Sequence, residues 1–178
     1  MMKRIVLLFT LMAGLLMSAH AQETECKIRI PSGYRAFVQQ ETLYRLTKDN
    51  YKRSLTGIST THGFYFNEHC YVGIGIGFVG GEKFFAMPLY SALLWNMSYR
   101  TSVSPLLQVR IGSYLGDGPG AYGDLGFGAR FASKNRFAVN AMAVFSFFES
   151  TEIEIYDNGL QTIDYNPISA GLRIGIEF

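Results

Sequence analysis

The last eleven residues, Ile168 to Phe178, alternate apolar with polar or small side chains without a break. A period of two puts Ile168, Ala170, Leu172, Ile174, Ile176 and Phe178 on one face of a strand. Ser169, Gly171, Arg173, Gly175 and Glu177 fall on the other. The same scheme recurs upstream. In Val72-Gly73-Ile74-Gly75-Ile76-Gly77-Phe78 three glycines oppose large apolar residues, and in 124–131 Leu125, Phe127, Ala129 and Phe131 oppose Asp124, Gly126, Gly128 and Arg130. Alternation and turn residues together predict eight strands, at 33–45, 53–66, 70–79, 83–97, 104–115, 121–132, 136–156 and 160–178.

Long alternating segments with an aromatic face nearly free of charge fit an all-β fold, an eight-stranded antiparallel up-and-down transmembrane β-barrel over 33–178. In lipid every backbone group must be paired, and a closed barrel leaves no edge. A secreted sandwich or lipocalin-like barrel also alternates, but would turn its apolar face inward. The chain's start favours the membrane. Lys3 and Arg4 precede an apolar run from Ile5 to Met17, about 13 residues against the roughly 20 of a spanning helix. Ala19-His20-Ala21 then supplies small residues for cleavage, so residues 1–21 are expected to be a signal peptide and 22–32 a short periplasmic tail.

Two turns set expected registers. Asn158-Gly159, a strong two-residue hairpin signal, would pair Phe147 with Ala170, Phe145 with Leu172 and Val139 with Phe178. Gly80-Gly81 would pair Gly77 with Phe84 and Gly75 with Ala86. Strands seven and eight exceed the 9–11 residues of one crossing. The stretch from Glu149 to about Asn166 is therefore expected to project outside as a hairpin bearing Glu149, Glu152, Glu154, Asp157, Asn158, Gly159 and Asp164. The first long loop carries Lys48, Lys52 and Arg53 on the same side, where an ion-paired rim is worth little in water.

Charge and composition narrow the partners. Removing residues 1–21 takes Lys3 and Arg4 from 16 Lys+Arg and none of the 14 Asp+Glu, leaving 14 against 14. A neutral mature chain offers no field for nucleic acid. Inward parity gathers Arg35, Glu41, Arg110, Asp124, Arg130, Arg173 and Glu177 in a lumen just wide enough for side chains. Buried charges must pair, so a salt-bridged plug is expected rather than an open pore. Cys26 and Cys70 both fall at the periplasmic end, where a disulfide is geometrically allowed and two unpaired thiols are the alternative.

The stretches Ser59 to Asn67, Tyr71 to Phe78, Ser104-Pro105-Leu106 and Gly171 to Phe178 carry a resemblance. Over nearly the whole mature chain the sequence resembles the small eight-stranded outer-membrane β-barrels typified by the OmpA transmembrane domain and OmpX. It resembles more closely the outer-membrane β-barrel domain proteins of Bacteroides-type bacteria. The resemblance implies the outer membrane of a Gram-negative cell, with both termini periplasmic. It implies outer-membrane lipid and lipopolysaccharide as surroundings, and recognition of Phe178 by the barrel assembly machinery. It is nearly silent on activity. No peptidoglycan-binding domain is expected after the barrel, so a tethering role is not expected to carry over.

Candidate chemistry is sparse. Gly73-Ile74-Gly75-Ile76-Gly77 lacks the helix and lysine of a phosphate loop. His62 and His69 are the histidines of the mature chain, too few for a metal site, and no cofactor is expected. His69 reads as a solvated turn residue. His62 shares the lipid-facing parity of Ile58, Phe64 and Phe66, where a polar group needs a reason. Lipid A deacylases of the outer membrane use a serine and a histidine on such a face. Here Phe64 stands two positions after His62, Ser59 points inward, and no carboxylate is placed to orient the ring. The expectation is a non-enzymatic barrel with a structural or interaction role and an unidentified extracellular partner. A narrow or gated channel is the alternative, and a lipid A-modifying enzyme the third.

Overall fold

The computed structural model describes residues 32–46, 54–81, 84–98, 102–116, 120–132, 137–156, 159–165 and 168–178. Eight antiparallel strands close a barrel: β1 (Gly33–Arg45), β2 (Ser54–Tyr65), β3 (Cys70–Gly81), β4 (Phe84–Asn96), β5 (Val103–Gly116), β6 (Gly120–Ala132), β7 (Ala138–Phe148) and β10 (Ile168–Glu177). Between β7 and β10, β8 (Ser150–Tyr156) and β9 (Gly159–Tyr165) form a separate two-stranded sheet. No helix occurs among the described residues. The residues assigned to a signal peptide and tail, 1–31, lie outside them.

Each wall strand neighbours the next in sequence, and β1 closes against β10. Two further backbone hydrogen bonds extend that seam. Ala36 donates to the Phe178 carbonyl (2.9 Å) and Phe178 donates back to Ala36 (3.0 Å). Followed around the wall, the register runs from Arg45 through Ser169, Ser146, Asp124, Arg110, Ala92, Gly73 and Gly63 to Arg35, ten residues before Arg45. A ten-residue stagger over eight strands tilts them about 40° from the barrel axis.

The alternation decides what faces where. Phe64, Ile74, Phe127, Phe145, Leu172 and Ile174 are among the exposed side chains of the outer wall, whereas Gln39, Glu41, Arg110, Asp124, Asn140 and Arg173 are buried inside. This is the reverse of a soluble barrel, and it assigns the apolar parity to the outside.

Both expected hairpin registers need correction in phase, though not in face. Phe147 pairs with Ile168, Phe145 with Ala170 and Val139 with Ile176, two residues away from the Asn158-Gly159 expectation. Tyr156 pairs with Gly159, so Gly159 belongs to the ladder. Asp157 and Asn158, which intervene, lie outside the described residues. At the other turn β3 runs on to Gly81, which pairs with Phe84, while Val79 meets Ala86 and Gly75 meets Tyr90. Slips of two and four residues keep every side chain on its face, so alternation cannot detect them.

The Gly75–Tyr90 pairing shows what fixes the phase. A Cβ on Gly75 would lie 2.4 Å from the Tyr90 ring, which occupies that space inside the barrel. Tyr90 in turn shares a hydrogen bond with Thr61 (2.9 Å) and lies 4.4 Å beneath the Arg110 guanidinium. Gly75→Val is expected to push the ring out and cost about 1–3 kcal/mol. A fall in the urea midpoint of refolded protein would register it; an unchanged midpoint would mean that Tyr90 has room elsewhere.

Candidate functional site

The lumen holds the main concentration of polar chemistry among the described residues. β10 carries Arg173 to its centre with a side chain 0% exposed. Its Nε and Nη2 donate to Glu41 (2.8 and 2.6 Å), Nη2 and Nη1 to Asp124 (2.6 and 3.1 Å), and Nη1 to Gln108 (3.0 Å). Glu41, Asp124 and Gln108 come from β1, β6 and β5, so one guanidinium ties four strands across the barrel.

Arg110 completes this group. Its Nη1 lies 3.9 Å from Glu41 and 4.0 Å from Asp124 and donates to Ser59 (3.3 Å), while Nη2 donates to Gln39. Tyr122 donates to Asp124. Two guanidinium groups thus face two carboxylates, and the cluster is neutral as a whole. Charge-assisted forks of this kind are strong hydrogen bonds and also fix geometry.

The other expected lumen charges form a second group near the end where the chain termini lie. Arg130 binds Glu177 in a two-pronged contact, Nε at 2.7 Å and Nη2 at 2.9 Å, and Arg35 stands 4.0 Å from the same carboxylate. Arg45, not among the expected charges, is buried as well. It shares the odd-numbered parity of Arg35 and Glu41, which was the available signal.

Aromatic layers bracket the central cluster. Phe37, Tyr65 and Tyr71 pack at 4.9–5.1 Å between centroids at the terminal end. Tyr114, Tyr122 and Phe148 pack at 5.2–5.4 Å at the other. Inside the lumen, the Gln39, Gln108 and Asn140 amides keep buried nitrogens, and Asn140 its oxygen as well, without a hydrogen-bond partner in the protein. Such groups suit small polar cavities that hold water.

The remaining candidates lie elsewhere. His62 is on the outer face, as its parity implies. Its Nδ1 is 2.5 Å from the Tyr34 hydroxyl and its Nε2 is 3.0 Å from Thr60 Oγ1. His69 differs from a freely solvated turn residue. Its ring Nδ1 is 2.7 Å from the Asn96 carbonyl, while Asn67 Oδ1 accepts from the backbone N–H of His69 and Cys70, so the ring joins two neighbouring turns. Cys70 opens β3 opposite Trp95, and its proposed partner Cys26 lies outside the described residues. Glu149 is exposed, and its backbone N–H donates to the Ala121 carbonyl (2.9 Å). Glu152 and Glu154 fall in β8 opposite Ile163 and Gln161. Among the described residues no three His, Cys, Asp or Glu side chains converge on a possible metal site.

The architecture is that of the small eight-stranded outer-membrane β-barrels, closed, all antiparallel and filled by its own side chains. Among solved structures it is similar to Neisserial surface protein A, with a TM-score of 0.64 at 10% identity over 83% of this chain and 97% of that one. Matches at lower TM-scores include the N-terminal β-barrel domain of Pseudomonas aeruginosa OprF (0.48, 12% identity, 83% of this chain and 100% of that one). Another is outer membrane protein AlkL in lipid bilayers (0.46, 14% identity, 88% and 94%). No family model and no curated protein matches the sequence. At 10% identity the first likeness establishes a shared fold.

Proposed function

We propose that the chain is a non-enzymatic, integral outer-membrane β-barrel of a Gram-negative bacterium, with both termini periplasmic and a structural or interaction role at the cell surface. The observation that carries this reading is Arg173, whose contacts with Glu41, Asp124 and Gln108 cross the lumen between two aromatic layers. A lumen occupied in this way leaves the outer connections and the β8–β9 hairpin as the parts that can meet other molecules. Residues 137–172 contain Glu149, Glu152, Glu154, Asp157 and Asp164 and neither lysine nor arginine. An isolated two-stranded sheet also offers two strand edges, to which an extended, cationic segment of an external partner can add.

The leader-like start and the apolar wall support the outer membrane. Phe178, hydrogen-bonded into the β1–β10 seam, is the proposed signal for the assembly machinery. The two nitrogens of His62 meet a phenol and a threonine hydroxyl, and no carboxylate orients the ring. Mass analysis of lipid A from cells lacking the gene should show unchanged lipid, and altered acylation would argue for an enzyme.

Planar-bilayer recording of refolded protein tests the closed lumen. The expected result is a silent membrane; steady, reproducible unitary currents would overturn it. A narrow gated channel is the second reading, favoured by the buried amide nitrogens of Gln39, Gln108 and Asn140, which have no hydrogen-bond partner in the protein.

A further inference from the structure

We infer that the outer wall over β2–β5 is a binding groove for a single glycerophospholipid of the periplasmic leaflet, its headgroup end held by His62, Tyr34 and Thr60. The inference rests on the proposed orientation, with both termini periplasmic.

A depression of about 700 Å³ crosses these four strands on the outside of the barrel. Its shape follows from the register. Ser91 pairs with Ile74 on one side and Ile111 on the other. Those two isoleucines are 70% and 66% exposed, so they stand as ridges with the small Ser91 side chain between them. Ser113, diagonal to Ser91 and paired with Leu89, continues the floor on β5. Beneath it Tyr90, flanked in register by Gly75 and Gly112, closes the wall from inside.

One end is polar. His62 pairs with Ile74, so His62, Ile74, Ser91 and Ile111 form one row across four strands. Three strand spacings make that row roughly 14 Å long, close to half of the ~30 Å hydrocarbon core and therefore to one leaflet's acyl chain. Because the strands tilt, the row climbs. It starts at His62, three residues before β2 ends at Tyr65, and reaches Ile111, eight residues into β5. Its polar end is thus beside the girdle of Tyr34 and Phe64, whose rings pack at 5.6 Å, on the side of the chain termini.

The chemistry selects the occupant. A long apolar trough with one polar end matches an acyl chain and its ester and phosphate region. The neutral His62 ring accepts from one of the two hydroxyls and donates its N–H to the other, which leaves one O–H, of Tyr34 or Thr60, held in place to donate to an ester carbonyl or phosphate oxygen. The three residues include no lysine or arginine, whereas the multiply phosphorylated sugars of lipid A call for clustered fixed cations. The wall opposite, over β6, β7 and β10, presents Leu125, Phe127, Phe145, Leu172 and Ile174, and its described outward positions carry no hydroxyl or imidazole to meet a headgroup.

Native mass spectrometry of the full chain released from nanodiscs tests the inference, with phosphatidylethanolamine and purified lipid A as separate probes. Wild type is expected to retain one phosphatidylethanolamine and no lipid A. Ser91→Phe, which fills the floor, should lower retention about tenfold, and His62→Phe about threefold, the scale of a lost hydrogen bond. Leu125→Phe on the opposite wall should change nothing. Each variant's heat-modifiable gel shift verifies folding. Retention unaffected by Ser91→Phe, or lowered equally by Leu125→Phe, overturns the groove. Lipid A retained in a Ser91-dependent way overturns the choice of phospholipid and, with it, the proposed orientation, while leaving a real groove.

Discussion

Arg173→Met is expected to destabilise the barrel by about 3–5 kcal/mol, the cost of leaving buried charge without its counterion. The substitution deletes all five of the arginine's hydrogen bonds and leaves Glu41 and Asp124 facing Arg110 alone, at 3.9 and 4.0 Å. Two carboxylates with one cation carry a net negative charge in a closed interior. The double variant Arg173→Met, Glu41→Gln should recover much of the loss, because it leaves Asp124 facing Arg110 at 4.0 Å and keeps the cluster neutral. Urea unfolding in lipid vesicles, followed through the single tryptophan, Trp95, measures both. A cost under about 1 kcal/mol for the single variant would place these charges in a solvated lumen and favour the channel reading.

Leu172→Arg is expected to cost about 2–4 kcal/mol, because it puts a guanidinium on the outer wall near mid-strand, where lipid would solvate it. Leu172 is 62% exposed and pairs with Thr42 and Ala143, so no interior group can reach it. Ser169, three residues earlier and on the inward parity, is fully buried, and its hydroxyl has no hydrogen-bond partner in the protein. Ser169→Ala should therefore change stability by no more than about 0.5 kcal/mol. The contrast must come from vesicle measurements. Equal effects for the two variants would mean that lipid does not bathe the apolar wall.

Much of this was legible in the sequence, and what was not has a common physical origin. Period two fixes which face a side chain occupies. That was enough to place Arg173, Glu177, Asp124 and Arg110 inside and His62 outside. It does not fix phase along the strand. The β7–β10 pairing is therefore two residues from the turn-based expectation and β3–β4 four. Contacts that depend on phase stayed hidden for the same reason. Tyr34 reaches His62 only because β1 and β2 align Ala36 with His62. The division of the charges into a neutral Arg173 cluster and an Arg130–Glu177–Arg35 cluster needs the ten-residue stagger, which no single strand reveals. Gln39, Gln108 and Tyr90, which complete the surroundings of the two arginines, carried no signal beyond inward parity.

The seam between Ala36 and Phe178 has a consequence for how the molecule comes into being. The other wall pairings join strands consecutive in sequence or, for β7 and β10, separated by the β8–β9 hairpin, whereas this one joins positions 142 residues apart (178 − 36). A chain can form the local hairpins early at small entropic cost, but the final closure spans nearly its full length. Until then β1 and β10 are two free edges able to pair with foreign strands. The vulnerable period of this protein's life is thus the interval between hairpin formation and closure, and its length is set at the two ends of the sheet.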